Sequence, residues 1–255
     1  MAKAHNLSPA LLFTVSTALL CAGWLMKSFP VFIFAGLAPL FALNDQVRNE
    51  VRVWNRAELI LIALAAGLLA AHRFQMNYLV MCIVEAITLT LAFLGYLFAY
   101  QRLGSWVGKF TIVLFWLSIE YVFLKLPWRN HFILLGDALA MKTDWMKWTI
   151  ETGYLGPSLW ILVGNLLLYL TLLKGGKVNW IFLILTVLWI TGPIVFSFLQ
   201  EQSVSRTNVI TQDSHKIFSP NENYIQPGEV IPITAAGISV LILLAAVARN
   251  KNPKR

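Results

Sequence analysis

Apolar positions along the chain gather into eight runs separated by short polar breaks. The runs are Pro9–Met26, Pro30–Leu43, Leu59–Ala71, Asn77–Tyr100, Phe110–Leu126, Gly156–Leu173, Trp180–Leu199 and Val230–Val247. A helix that crosses the hydrocarbon core of a bilayer needs about 20 residues, within a range of about 17–25. Six runs reach that range; the second and third fall short, and Pro39 is placed to break the second. The pattern predicts an all-α fold, a polytopic membrane helix bundle of about eight transmembrane helices, forming a single membrane domain over residues 1–255. Two longer polar stretches fall between runs. Pro127–Leu155 mixes Trp with Arg, Lys and Asp and reads as an interfacial segment. Gln200–Glu229 is rich in turn formers, including Pro220-Asn221 and Pro227-Gly228, and reads as a loop. No repeat of 20–50 residues is visible.

Composition strengthens this reading. Hydrophobic residues make up 58% of the chain and charged residues 13%, with a mean hydropathy of +0.68. Soluble domains carry about 25% charged residues, so most of this chain is not built to face water. The net charge of +8 does not indicate nucleic acid, because the basic residues sit in small groups between apolar runs. With both termini in the cytoplasm, the inner segments hold Lys3, Arg48, Arg52, Arg56, Arg102, Lys109, Lys174, Lys177, Arg249, Lys251, Lys254 and Arg255. These are twelve of the twenty basic residues. The positive-inside rule therefore orients both termini inward and both long polar segments outward. Leu20 before Cys21 is too large for a lipoprotein processing site, and the first run reads as a retained helix.

Chemistry-bearing residues are few. Cys21 and Cys82 lie in apolar runs without a neighbouring base, where a thiol is inert. His5, His72, His131 and His215 have no metal-ligand spacing, and phosphate-loop and dinucleotide glycine patterns are absent. The sequence thus points to no metal and no cofactor. Ionisable groups inside apolar runs carry more information, since they are costly there. Glu85 and Glu120 are such groups; Glu58 and His72 lie at run ends, within reach of water. Each buried glutamate reads either as a helix anchor or as a proton-handling group. Trp116 and Glu120, four residues apart, share one helix face. An unpaired carboxylate implies a partner, either in 127–155 or on the following helix, and Arg129 is one candidate if the chain turns at Pro127. Trp106, Trp128, Trp145 and Trp148 suit an interfacial belt. Trp145 and Trp148 with Lys142 and Lys147 also have the makings of a cradle for a phospholipid headgroup. The lipid-binding or helix-anchoring candidates are therefore Trp116, Glu120, Trp128, Arg129, Lys142, Trp145, Lys147 and Trp148.

Several of these residues fall in a recognisable order. Trp116-Leu117-Ser118-Ile119-Glu120 is followed by Pro127-Trp128, then Leu135-Gly136, then Trp148 through Trp160, with Asn165 beyond; Gly36-Leu37-Ala38-Pro39-Leu40 lies near the start. This succession resembles the membrane portion of the apolipoprotein N-acyltransferase family. The resemblance implies an eight-helix bacterial inner-membrane bundle with a lateral opening for phospholipid or a lipidated peptide. That family carries a nitrilase-like domain with a Glu–Lys–Cys triad between its seventh and eighth helices. The corresponding stretch here, Gln200–Glu229, is too short for a domain and contains no cysteine. The nucleophile for a thioester intermediate is therefore missing, and no catalytic residue carries over.

The expectation that follows is a non-catalytic platform in lipoprotein maturation. Its partners would be membrane phospholipid, and a lipoprotein or a separately encoded soluble catalytic subunit, with no nucleic acid. The rivals are an acyltransferase with a site rebuilt from Glu120, His131 and Asp137, a transporter, and a structural subunit of a membrane complex.

Overall fold

The computed structural model describes residues 7–26, 28–46, 53–103, 105–127, 129–174, 178–204 and 230–250, and within them every regular element is helical. Helix α1 spans Pro9–Leu25. Ser8 starts it, its hydroxyl accepting from Leu11 N–H at 3.2 Å, with Pro9 in the first turn, where its missing N–H costs nothing. A 3-10 turn over Pro30–Phe32 leads into α2 (Ile33–Gly36) and α3 (Ala38–Gln46). Then follow α4 (Val53–Ala71), α5 (Leu79–Leu103), α6 (Ser105–Lys125), the short α7 (Thr149–Thr152) and α8 (Gly156–Leu168). Helix α8 loosens into one π-turn over Tyr169–Leu173; α9 (Trp180–Val204) and α10 (Val230–Asn250) complete the bundle.

Among the described residues, three stretches are long and apolar enough to cross a membrane: Met76–Leu103, Gly156–Leu173 and Trp180–Leu199. Pro9–Leu25 and Ile233–Ala248 are apolar but shorter. Of the about eight spans expected, three are thus supported by length and composition among the described residues. The second run is broken into α2 and α3. Helix α4 is longer than the apolar run Leu59–Ala71 because it begins among polar residues that include Arg56 and Glu58. The stretch Gln200–Glu229, expected as an outer loop, lies mostly outside the described residues.

The bundle is organised around α5, which packs between α4 and α6, while α1 lies on α4 and on the α2–α3 arm. Helix α10 covers α5 and α6; α9 pairs with α8. Trp160 Nε1 donates to Trp189 O at 2.8 Å and Trp189 Nε1 returns the bond to Trp160 O at 3.0 Å, stapling α8 to α9. The other side of α9 is bare, with Ile181 71% and Leu188 60% exposed. Apolar surface on that scale belongs to an interface with lipid or protein, not to water.

The α2–α3 arm is an interrupted helix at the centre of the packing. Pro39 has no N–H to donate, and the chain breaks at Leu37. Asn165 of α8, fully buried, repairs the break from both sides. Its Oδ1 accepts from Leu37 N–H at 2.7 Å and Ala38 N–H at 3.1 Å; its Nδ2 donates to Ile33 O and Ile161 O at 2.8 and 2.9 Å. Ser16 of α1 donates to Gly36 O. Close approach makes this possible: a Cβ on Gly23 would sit 2.9 Å from the backbone nitrogen of Ile33. At the far end of α3, Asp45 accepts from Tyr96 Oη at 2.7 Å and from Tyr169 Oη, the first residue of the π-turn. The arm is therefore tied to α1, α5 and α8 by polar contacts.

Replacing Asn165 by Ala strands two donors and an acceptor of the arm in a dry interior. Each buried group left unpaired costs about 1–3 kcal/mol, so a loss of at least ~2 kcal/mol is expected. Thermal unfolding in detergent reads it; a parent-like midpoint would mean that the break is satisfied by other means.

Candidate functional site, a strap over an apolar cleft

After α6 the chain makes a 3-10 turn at Arg129–His131, runs extended through Leu134 (φ −77°, ψ 149°) and enters a second 3-10 turn at Leu135–Leu139. A segment without a helix or sheet ladder must find other partners for its N–H groups. Here they come from side chains on three separate helices and one in the segment itself. Leu135 N–H donates to Glu120 Oε1 of α6 at 2.8 Å, and Gly136 N–H to Ser158 Oγ of α8 at 2.9 Å. Leu134 N–H donates to Asp137 Oδ2 at 2.8 Å, while Ile133 N–H makes a long 3.5 Å contact to Glu85 Oε2 of α5. Residues 133–137 thus form a strap bound across the ends of α5, α6 and α8. The Asp137 carboxyl is pushed up to about 6 by burial first, with the Leu134 N–H acting in the opposite sense, although part of the residue stays exposed.

Glu120 is the centre of this arrangement, at 2% exposure. The four-residue spacing from Trp116 brings Trp116 Nε1 to Glu120 Oε1 at 2.9 Å, so one carboxyl oxygen receives two donors. Ser158 approaches the carboxyl as well, without reaching hydrogen-bonding geometry to Oε2. Oε2 is buried and has no hydrogen-bond partner; the same holds for Glu85 Oε1. Charge-assisted acceptance of two N–H donors makes Oε1 the firmest point of the strap.

Beneath the strap lies a cleft of about 330 Å³, counting its open mouth. Leu20 and Trp24 of α1, Leu64 and Leu68 of α4, and Leu89 of α5 supply apolar walls; Trp116 and Glu120 close one side, and Ile133 and Leu135 form the roof. Glu120 is the one ionisable residue on this lining. The cleft is narrow: its interior has room for little more than a water, well below the volume of a preformed ligand pocket.

No family model, curated protein or solved structure matches the chain.

The sequence-derived candidates divide into two groups. Trp116 and Glu120 meet as their spacing requires, and the partner of Glu120 lies within 127–155, one of the two places expected for it. The partner is not Arg129: the carboxyl accepts the Leu135 N–H instead, since the chain after Pro127 brings backbone to Glu120. Lys142, Trp145, Lys147 and Trp148 lie away from the cleft. Lys142 Nζ sits 5.5 Å above the Trp145 ring, and Trp148 Nε1 donates to Trp145 O at 2.9 Å. The Trp148 ring meets Trp160 edge-on at 5.6 Å and so packs toward α8. Lys147 N–H donates to Ser197 Oγ of α9 at 3.2 Å. Trp128 lies outside the described residues. Of the three residues a rebuilt enzyme would need, His131 is exposed and Asp137 is engaged with Leu134 N–H. Cys82 is buried, and the Cys21 Sγ lies 3.7 Å from Ala66 O. Ser158 and the cleft-lining Trp24 were not singled out from sequence; Ser158 follows Gly156-Pro157 at the start of α8, where a hydroxyl has no periodic signature.

Glu120→Gln keeps an acceptor for Trp116 and Leu135, so stability should change by less than about 1 kcal/mol. Glu120→Leu strands both donors and should cost about 1–3 kcal/mol. Equal melting of parent, Gln and Leu forms in detergent would remove the anchoring role. Gly136→Ala tests the strap independently. Its Cβ would fall 2.9 Å from Pro157 Cβ and 3.1 Å from the Ser158 backbone nitrogen, so the strap must lift from α8. A lowered melting temperature with faster proteolysis in 127–155 is expected; parent-like values would contradict the close seating.

Proposed function

We propose that this chain is a multi-pass protein of a bacterial inner membrane, with about eight helical passes and both termini in the cytoplasm. It serves as a non-catalytic platform for phospholipid or a lipoprotein in lipoprotein maturation, resembling the membrane part of apolipoprotein N-acyltransferase. The observation that carries the reading is the strap-roofed apolar cleft with a single buried carboxyl on its lining. Amphiphile sites combine apolar walls with a few fixed polar groups. The order of Trp116, Glu120, Leu135-Gly136, Ser158 and Asn165 supports it further, because those residues of the quoted succession build the strap and the arm. A soluble partner would supply any chemistry, since the thiols of this chain lie in apolar runs without a base.

Purified protein should keep bound phospholipid through delipidating detergent, visible as mass-shifted species in native mass spectrometry; complete loss of lipid would overturn the platform. The chain alone should fail to restore N-acylation in a transferase-deficient strain, and the double variant Cys21→Ala, Cys82→Ala should behave as the parent. Rescue by the parent chain would make it an enzyme. For orientation, a Ser214→Cys variant should label from the outer face of intact cells. Labelling only after the inner face is opened would invert the topology.

A further inference from the structure

We infer that Glu85 and Glu120 together hold a single proton under the strap, and that its loss as the pH rises unseats residues 133–137, making the strap a proton-operated latch. The inference concerns the strap itself and stands whether or not the platform reading holds. Two buried carboxyls on neighbouring helices meet the same segment. Glu85 of α5 is 1% exposed and Glu120 of α6 is 2% exposed. Glu85 Oε2 faces Ile133 N–H at 3.5 Å, and Glu120 Oε1 accepts from Leu135 N–H at 2.8 Å. Those two nitrogens are about 7 Å apart along an extended chain, and the two carboxyls act on each other through space.

Among the described residues no cation offsets the pair. The charged groups acting on Glu85 are Glu120 and Asp137, and Asp137 acts on Glu120 in turn. Cys82, one turn earlier on α5, is the other titratable neighbour of Glu85. Helices α4 and α10 also pack on α5, but neither brings a charged group that acts on the two glutamates. Arg129 acts on Tyr154, which also interacts with Asp137. Two carboxylates held together in a dry place without a cation do not both ionise, so one keeps a proton.

The donors decide which. Glu120 Oε1 accepts from Trp116 Nε1 and Leu135 N–H. Ser158 Oγ, beside the same carboxyl, accepts the Gly136 N–H and has its own proton left to donate. That setting suits a carboxylate. Glu85 has one long contact, and its Oε1 is buried without a hydrogen-bond partner. A neutral carboxyl tolerates such a place far better than a charged one, so Glu85 holds the proton. Asp137 lies on the exposed side of the strap; burial of its carboxyl pushes it up to about 6, and above that its charge adds to the repulsion. The sign follows. With the strap seated Glu85 stays neutral; with the strap lifted water reaches it, and it ionises in the ordinary carboxylate range. The lifted strap binds fewer protons, so seating weakens as the pH rises.

The test is hydrogen exchange of the full chain in phosphatidylcholine nanodiscs from about pH 5 to about pH 9. Rates are corrected for the intrinsic pH dependence of amide exchange, with the amides of α8 as internal reference. Protection of the amides of residues 133–136 should fall by about tenfold or more across that range, the effect of at least one unit of pKa difference between seated and lifted states. Protection in α8 should stay level. Glu85→Gln keeps an acceptor for Ile133 and cannot ionise, so its strap should remain at the parent's low-pH protection throughout. Glu120→Gln removes the like charge and should shrink the fall. Asp137→Asn keeps an acceptor for Leu134, and the fall should persist in it. Protection in the parent that ignores pH, or a Glu85→Gln variant with the parent's fall, would overturn the inference. So would a fall that Asp137→Asn abolishes, which would place the titration on the strap's own carboxyl. If Glu85→Gln does not fold, an undiminished fall in Glu120→Gln overturns it instead. Lipid retention in native mass spectra reads the platform separately, so either reading can fail alone.

Discussion

A chain that leaves the helical conformation inside an apolar bundle must still find a partner for each N–H and C=O that the helix would have satisfied. Helices satisfy this requirement internally, so they constrain their neighbours only through shape. The interruptions at Leu37 and at residues 133–136 cannot do so. Their partners are side chains distant in sequence: Asn165 and Ser16 for the first, and Glu120, Ser158 and Glu85 for the second. Each bond fixes a register between two elements that apolar packing alone leaves free to slide. Helix α8 supplies Asn165 to one interruption and Ser158 to the other, two turns apart on the same helix. The positions of arm and strap are consequently set by a single rigid element, and the cleft they enclose inherits its dimensions from α8.

The same constraint explains which parts of the bundle are tight and which are loose. Arm, strap, α1, α5 and α6 share buried polar contacts and fully buried side chains such as Ile33, Leu37, Phe93 and Leu139. Helix α9 has no interruption to complete. It meets α8 through the reciprocal Trp160–Trp189 bonds and through Thr171–Thr186, and otherwise turns Ile181, Leu188 and Leu199 outward. A largely apolar helix that rests on α8 and on the segment before it is stable where its outer face meets hydrocarbon.

Much of the fold was legible in the sequence because hydrophobic runs report helices directly. Runs near 156–173, 180–199 and 77–100 correspond to the three stretches with span-like length and apolarity. Ends read less well: α4 starts at Val53, since Arg56 and Glu58 lower hydropathy without lowering helix propensity. Pro39 gave notice of the broken arm, but nothing local revealed that an asparagine more than a hundred residues away completes it. At the candidate site, the four-residue spacing put Trp116 beside Glu120, and the cost of a buried carboxylate demanded a partner, in 127–155 or on the following helix. The identity of that partner was not legible, because backbone N–H groups leave no trace in a sequence. Arg129 attracted attention through charge, yet the strap satisfies Glu120 with Leu135. The Asp45–Tyr96–Tyr169 cluster escaped for the same reason: its members lie in different runs, and each alone looks interfacial.

What remains is why position 120 carries a carboxyl at all. Two donors converge on Oε1, and a glutamine oxygen would accept both with the same geometry. Anchoring the strap therefore does not require Glu. A carboxyl at this depth carries a larger desolvation cost than an amide, and its second oxygen is buried, with the Ser158 hydroxyl beside the carboxyl. The two donors on Oε1 alone would favour the cheaper side chain, or a Ser or Asn such as those used at 158 and 165. The difference between Glu and Gln lies wholly in the outer atom: an acceptor in one, a donor in the other. The property that distinguishes the residue present from its isostere is thus a second acceptor oxygen beside Ser158, whose hydroxyl accepts the Gly136 N–H and has its own proton left to donate.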